Sequence, residues 1–346
     1  MIRRITASLF YGSLVMGGVV VMVFFLFQGF GDPSRLILGQ RADAGTLNNI
    51  RRELNLDQPK WKQFVYYLND VSPLSIYSKA ELLEKNIRWI GVGGNTKLVL
   101  KFPYLRRSYQ TRKLVWTMLM EALPGTIVLA ILAMGIAIIA GMSLGILAAV
   151  KKDRWMDTTA IFTSVLGISA PSFFMSILIA YIFGFVLSPY TGLQMTGSLF
   201  DTDPFSGRQW QLRNAILPAI TLGIRPMAII AQLTRGSMLD ILNQDFIRTA
   251  YAKGLSQKQV IWRHAIRNAL NPVITAITGW FAELLAGAFF VEYIFGWKGI
   301  GKITVDALAK LDFPVVMGSV LVTSSFFILM SILADWAYRF VDPRVT

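Results

Sequence analysis

Residues 245–272 read DFIRTAYAKGLSQKQVIWRHAIRNALNP, a polar and basic stretch between two apolar segments. Because those segments are long enough to cross a membrane, we expect the stretch to be a loop at one membrane face. Leu239, Leu242, Phe246 and Ala250 recur at spacings of three and four, which predicts one apolar helical face. The stretch is therefore organised as helix rather than as a simple connector.

Local signals divide this stretch into two short helices. Gly254 suits a helix C-cap, where a left-handed residue is favoured, and Ser256 with Gln259 fits a capping box that starts a second helix. Proline cannot continue the helical hydrogen-bond ladder, so the second helix is expected to end at Asn271 and Pro272. We expect its apolar face to consist of Ile261, Ala265 and Ala269.

Three interpretations of this stretch are open: a dock for a soluble partner, a plain surface loop, or a DNA-binding helix-turn-helix. The DNA interpretation is disfavoured, because the loop lies between two spans and no core supports a recognition helix. The pattern alone does not decide between a dock and a plain loop.

The composition of the whole chain is that of an integral membrane protein. Of its 346 residues, 54% are hydrophobic and 16% are charged, whereas about one quarter of a soluble domain is charged. A bilayer core needs about 20 helical residues, and the apolar residues fall into enough blocks for six such helices. The blocks are residues 5–31, 122–150, 158–200, 215–234, 269–294 and 313–334.

Lysine and arginine in the short loops predict the orientation. With the N-terminus inside, most of these residues fall on the inside, so both termini are expected to be cytoplasmic. The long segment between the first two helices is then periplasmic. The net charge of +14 is explained by this orientation and by contact with lipid, rather than by binding to nucleic acid. The chain contains no cysteine, which excludes disulfides and thiolate chemistry.

Three charged residues lie within the predicted spans. A charge at mid-membrane costs about 2.5–3.5 kcal/mol on insertion scales, so it normally faces a partner or water. Arg225 and Glu283 are expected at similar depth, where they either pair with each other or line a solute path. Glu292 lies closer to the outer surface, and the sequence assigns it no firm role.

Gly141 and Gly145 form a small-xxx-small pattern in the second apolar block. Such a pattern lets two membrane helices approach closely. Glycine is also frequent in membrane helices generally, so the sequence leaves both explanations open.

The segment RTAYAKGL, residues 248–255, resembles the EAA loop of binding-protein-dependent ABC importer permeases, in the form used by the dipeptide/oligopeptide/nickel subfamily. Arg248 and Thr249 replace the Glu and first Ala of the general class, as they do in that subfamily. The subfamily continues with H-A-x-R-N-A-x-x-P. Those places are held here by His264, Ala265, Arg267, Asn268, Ala269 and Pro272.

The resemblance covers most of the chain in order. It includes GDPSRLILGQRADAGTLNNIRRELNLDQPKWKQFVYYL at 31–68, EALPGT at 121–126, VLGISAPSFFMSI at 165–177 and VEYIFGWKGIGKITVDAL at 291–308. These matches indicate the first of the two paired permeases of that subfamily. Residues 72–107 have no counterpart and are interpreted as an insertion, in which the alternation of Leu98, Leu100 and Phe102 with polar or smaller residues predicts a strand or hairpin.

The predicted organisation has three parts. They are residues 1–31 with the first helix, a periplasmic segment at 32–113 with a family-like helical part (32–70) and the insertion (72–107), and an ABC permease domain at 114–346 with its EAA-type coupling loop at 239–272.

The resemblance implies an all-α permease with six transmembrane helices in a bacterial inner membrane, and no enzyme activity. It implies a second homologous permease, two ATPases that bind the ATP and magnesium, and a periplasmic or lipid-anchored binding protein for di- or oligopeptides, nickel complexes or other small solutes. Consistently, the chain has no G-x-x-x-x-G-K-[ST] phosphate loop. The implied ATPase-docking residues are Asp245, Arg248, Thr249, Ala250, Lys253 and Gly254.

The alternative from a different class is an independent secondary transporter or channel that uses Arg225 and Glu283 as coupling groups. The EAA-like loop argues against it, because such a transporter needs no dock for an ATPase. His264, the only histidine, has no histidine or cysteine neighbours in the sequence and is expected to be structural rather than a metal ligand.

Overall fold

The computed structural model describes residues 2–28, 51, 56–78, 81–82, 89–92, 96–203 and 207–341. The described helices are α1 Ile2–Gln28, α2 Lys60–Val71, α3 Val115–Val150, α4 Trp155–Ser169, α5 Ser172–Tyr181, α6 Ser188–Thr191, α7 Ile216–Leu242, α8 Asp245–Ala252, α9 Gln257–Gln259, α10 Ile266–Gly287, α11 Phe289–Ile294, α12 Ile300–Ala309 and α13 Phe313–Val341. The strands are β1 Leu74–Ser78, β2 Trp89–Val92, β3 Thr96–Lys101, β4 Phe200–Asp203 and β5 Gly207–Trp210.

The chain divides into two compact units. One comprises Met1–Ala122 with Ile303–Ser324, and the other comprises Leu123–Lys302 with Ser325–Thr346. The chain is mainly helical, as predicted, but the all-α prediction leaves out the short strands found in both units.

The first unit places α2 against α1 through aromatic packing. The Phe24 ring lies 5.0 Å from the Phe64 ring and 5.5 Å from the Tyr67 ring, measured between centroids. Strands β1, β3 and β2 follow in that spatial order as an antiparallel sheet. The predicted strand at residues 98–102 is thus confirmed for residues 96–101, and its partners on both sides are β1 and β2.

Length and composition identify the helices able to cross a membrane. Among the described residues these are Val115–Val150, Leu212–Leu242 and Phe313–Leu333, together with one bent pair, Trp155–Ser169 and Ser172–Val186. Two other predicted blocks correspond to shorter apolar helices, Phe10–Leu26 and Pro272–Leu285. The structure therefore supports three or four spans on length alone, and the count of six stays a prediction.

The third predicted span is bent rather than straight. Its two parts meet at an angle of 110°. Ala170 is extended, with φ −75° and ψ 128°, because the following Pro171 disfavours helical backbone at the residue before it. Pro171 then precedes the first residue of α5.

In the second unit, α3 and α7 approach each other at glycines. A Cβ atom at Gly141 would lie 2.7 Å from the carbonyl oxygen of Met227, and one at Gly145 would lie 2.5 Å from that of Ala231. Because real Cβ atoms do not come so close to backbone oxygens, only glycine fits at these two positions. The small-xxx-small pattern is therefore a close helix contact here and not merely membrane-helix composition.

Candidate functional site

The polar stretch at residues 245–272 opens with a short helix that ends in a Schellman motif. Helix α8 runs to Ala252, and Gly254 has φ +78°. The Gly254 N–H donates to the Tyr251 carbonyl at 2.9 Å, and the Leu255 N–H donates to the Ala250 carbonyl at 3.3 Å. These two bonds satisfy carbonyls that the helix end would leave free, so the predicted left-handed cap is confirmed.

The predicted capping box starts the second helix. The Ser256 N–H donates to Oε1 of Gln259 at 3.0 Å, and the Gln259 N–H donates to the Ser256 hydroxyl at 3.4 Å. The turn Gly254-Leu255 is thus capped on both sides, by the Schellman motif before it and by the capping box after it.

The second helix does not end at Pro272, and that prediction is wrong. A π-helical segment, Val260–Ala265, leads into α10, which continues through Pro272 to Gly287. Proline removes one backbone donor, so the helix loses the hydrogen bond from residue 272 to the Asn268 carbonyl, but membrane helices tolerate proline. The polar stretch is therefore continuous with an apolar helix.

The loop has a hydrophobic core of its own. Ile247, Val260 and Ala265 are each at most 1% exposed and pack with Met238 of α7 and Ala149 of α3. Ile261, Ala265 and Ala269 form the buried face of the second helix, as predicted. Three residues of the predicted face of the first helix, Leu239, Leu242 and Ala250, pack in this core. The prediction for the fourth is wrong, because Phe246 is 41% exposed and Ile247 is buried instead. Phe246 lies just after the break at Asn243 and Gln244 that separates α7 from α8.

Five of the six residues that the resemblance assigned to docking are exposed. Ala250 is the exception, since it is 6% exposed and packs in the loop's core. Two large apolar side chains, Phe246 and Tyr251, are also exposed on this helix, at 41% and 44%. The exposed members of the predicted set are Asp245, Arg248, Thr249, Lys253 and Gly254.

An ion pair between Asp157 and Arg235, which the sequence analysis missed, connects α4 to α7. Arg235 lies in α7, ten residues before the polar stretch. Arg235 donates from Nε to one carboxylate oxygen of Asp157 at 2.5 Å and from Nη2 to the other at 2.7 Å. The Asp157 side chain is 4% exposed. The sequence does contain a signal for such a pair, because Asp157 is an acidic residue two positions after the basic stretch KKDRW at the start of an apolar segment.

Arg225 and Glu283 line one cavity of about 150 Å³. The guanidinium of Arg225 lies over the ring of Trp280, 5.6 Å from its centroid. Within the part of the chain that the structure describes, no ion pair joins Arg225 to Glu283, and both residues are exposed to the cavity. Remaining lining residues include Thr221, Pro226 and Met175.

Glu292 is fully buried and holds two family-like motifs together. Its Oε1 accepts a hydrogen bond from the Thr126 hydroxyl at 2.7 Å, and its Oε2 accepts one from the Lys302 N–H at 3.2 Å. Trp297 donates from its indole N–H to the Gly125 carbonyl at 2.9 Å. These bonds join EALPGT at 121–126 to VEYIFGWKGIG at 291–301, so Glu292 is a structural carboxylate at this junction.

Comparison with known proteins gives the family. Residues 141–346 match the family described as binding-protein-dependent transport system inner membrane component, and residues 1–82 match its N-terminal membrane component. The chain belongs to this family of ABC importer permeases. It is a transport subunit and not an enzyme.

Full-length relatives support the same assignment. The chain is 32% identical to the dipeptide transport system permease protein DppB of Alkalihalophilus pseudofirmus, covering 96% of this chain and 95% of the relative. It is 33% identical to the glutathione transport system permease protein GsiC of Escherichia coli K12, covering 94% of each. In fold it is similar to the methionine ABC transporter MetNI in an inward-facing form, with a TM-score of 0.51, 16% identity, and coverage of 65% of this chain and 97% of that one.

Membership in this family implies partners. Binding-protein-dependent permeases work with an ATPase and a substrate-binding protein, and the family assignment therefore favours ATP-driven transport over an independent secondary transporter or channel.

Proposed function

We propose that this chain forms part of the path by which a peptide-like solute crosses a bacterial inner membrane, driven by ATP hydrolysis in separate subunits. The observation that carries the proposal is the exposed, rigidly capped helix α8 in a chain of the binding-protein-dependent permease family. The names of full-length relatives refer to dipeptide and glutathione transport, which supports a peptide-like solute.

The dock for the ATPase is the surface of α8 and its cap. Phe246 and Tyr251 offer apolar contact area, and Arg248 and Lys253 offer positive charge. Because the loop core fixes α8 against α7 and α10, a displacement of α8 by a partner is transmitted directly to two apolar helices. This is the mechanical requirement for a coupling loop.

The topology that fits this role has six spans, with both termini in the cytoplasm. The bent pair α4 and α5 supplies one span, and the two shorter apolar helices, Phe10–Leu26 and Pro272–Leu285, supply two. A second homologous permease, two ATPases and a periplasmic or lipid-anchored binding protein complete the assembly.

Arg225 and Glu283 are proposed to meet the solute. A peptide carries a carboxylate at one end and an ammonium group at the other, and the cavity presents one cation and one anion that are not paired with each other. The Arg225 guanidinium can bind a carboxylate with two hydrogen bonds, and Glu283 can accept from an ammonium. This arrangement would recognise a peptide backbone with little regard to its side chains.

Photo-crosslinking tests the dock. A benzophenone amino acid replaces Tyr251, and in a matched control it replaces Tyr190, which is 88% exposed in α6. In native membranes the Tyr251 variant should form an adduct with a P-loop ATPase, and the Tyr190 variant should not. An ATPase adduct from both positions, or from neither, would contradict the assignment of α8 as the dock.

A further inference from the structure

The sheet in the first unit turns its apolar side outward. Along β1 and β3, side chains alternate between exposed and buried. Six large apolar residues on the outward side are each more than half exposed. They are Leu74, Ile76, Ile90, Leu98, Leu100 and Phe102.

The inward side of the same sheet combines two buried polar residues, Ser75 and Lys101, with a small hydrophobic cluster of Tyr77, Val99 and Leu82. Lys101 donates from Nζ to the carbonyls of Asp70 and Ser72 at the end of α2, at 2.5 and 3.1 Å. The Tyr77 hydroxyl donates to the Asp70 carboxylate at 2.7 Å, and Arg106 pairs with the same carboxylate at 3.1 Å. An antiparallel sheet with one face in water usually has polar residues on that face. The exposed face of this sheet is apolar instead, so contact with water is unfavourable for it.

The outward residues form a continuous patch. Leu100 lies directly opposite Leu74 on one side and Ile90 on the other, and Leu98 lies opposite Ile76. Side chains of such cross-strand pairs are in contact range on one face of the sheet. Contiguous exposed apolar patches of this kind mark binding surfaces.

The patch continues into the place where a membrane helix begins. The Phe102 ring lies 5.9 Å from the ring of Trp116, measured between centroids. Trp116 is the second residue of α3, the longest apolar helix of the described chain, and is 36% exposed. Tryptophan at the end of a span is typical of the membrane–water interface. The apolar face is thus in contact with a tryptophan in the first turn of the longest apolar helix that the structure describes.

Positive charge lies at the same level. Arg107, Arg112 and Lys113 are exposed in the turn directly before α3. Cations next to the end of a span attract anionic lipid headgroups. The combination of an aliphatic sheet face with three cations at the start of a span matches a lipid surface better than a soluble protein partner.

We propose that the outward face of this sheet rests on the lipid bilayer, at the membrane face where α3 begins. Its aliphatic side chains enter the headgroup and upper acyl region, and Arg107, Arg112 and Lys113 bind lipid phosphates. The segment that the sequence analysis interpreted as an insertion is then a membrane-resting platform, rather than a lid or a site for the binding protein.

Spin labelling tests this placement, since the chain has no cysteine to remove. Nitroxide labels are attached at Leu98→Cys and Ile76→Cys, and at Asp57→Cys, an exposed polar control in the same unit. The full assembly is placed in vesicles containing phosphatidylglycerol. The ratio of collision with oxygen to collision with a water-soluble nickel chelate should be several-fold higher at Leu98 and Ile76 than at Asp57.

Each other outcome would overturn the proposal. Equal ratios at all three positions would show that the face is in water. Protection from both reagents would show that a protein subunit covers it, and protection from the nickel chelate only after the binding protein is added would assign the face to that protein. Ile90→Cys, on the neighbouring strand, replaces either sheet variant if that variant fails to assemble.

Discussion

The hydroxyl of Thr126 lies 2.7 Å from a carboxylate oxygen of Glu292, although 166 residues separate them in the chain. Thr126 also accepts a hydrogen bond from the Ile300 N–H at 2.9 Å. One threonine in α3 therefore connects this helix to both α11 and α12. The junction brings EALPGT at 121–126 into contact with VEYIFGWKGIG at 291–301.

The first prediction concerns the space around Glu292. A Cβ atom at Gly299 would overlap the Glu292 carboxylate, so Gly299→Ala should destabilise the protein by about 1–3 kcal/mol through overpacking. The control is Gly279→Ala, where a Cβ meets nothing within 4 Å and helix propensity favours alanine. Thermal unfolding in detergent measures both, and equal unfolding temperatures would contradict the junction.

The second prediction concerns the Asp157–Arg235 pair. Asp157→Asn leaves the partly buried Arg235 guanidinium, 24% exposed, without its charged partner, and should cost about 1–3 kcal/mol. Arg235→Lys keeps the charge but loses the bidentate pair of hydrogen bonds to Asp157, and should also destabilise the protein. The control is Asp245→Asn, which removes an exposed pair with Arg248 at 3.5 Å and should leave the unfolding temperature unchanged. If all three variants unfold alike, the buried pair is not a structural support.

The third prediction concerns Gly254, the helix cap of the proposed ATPase dock. Its φ of +78° is accessible to asparagine, and a side chain there meets nothing within 4 Å in this chain. Gly254→Asn should therefore lower the unfolding temperature only slightly, through the strain of a side chain at positive φ, but lower the amount of co-purified ATPase about tenfold, which corresponds to about 1.4 kcal/mol. Lys310→Asn is the control on the opposite predicted face. Undiminished ATPase recovery with Gly254→Asn would place the dock elsewhere.

The fourth prediction concerns the cavity. If Arg225 binds the solute carboxylate, uptake should favour a peptide over its C-terminal amide, and Arg225→Met should abolish that preference. Competition between the two peptides in vesicles measures it. Uptake that falls equally for both peptides would argue against carboxylate recognition. Restored folding in the double charge reversal at Arg225 and Glu283 would instead support an ion pair between them.

Local signals in the loop were largely predictable from the sequence. The cap at Gly254 and the capping box at Ser256 depend on residues close in the chain, and both formed. The course of α10 through Pro272 was not predictable, because it depends on a π-helical segment and on packing against α7. The same is true of Ile247, whose burial follows from the break at Asn243.

Long-range contacts were the main omission. Nothing in the sequence pattern relates Asp157 to Arg235, or Thr126 to Glu292, because these contacts join segments far apart in the chain. The strand at 96–101 was predicted from alternation, but alternation alone does not say which face is outward. The side on which Tyr77, Val99 and Lys101 are buried against the rest of the unit is set by contacts distant in the chain, such as those of Lys101 and Tyr77 with Asp70.

Extraction of this chain from its native membrane in mild detergent, followed by mass spectrometry of what co-purifies, tests the central claim most directly. The account predicts a P-loop ATPase and a second homologous permease with the wild-type chain, and loss of the ATPase with Gly254→Asp. Recovery of the chain alone, with solute transport in proteoliposomes that lack ATP, would contradict it.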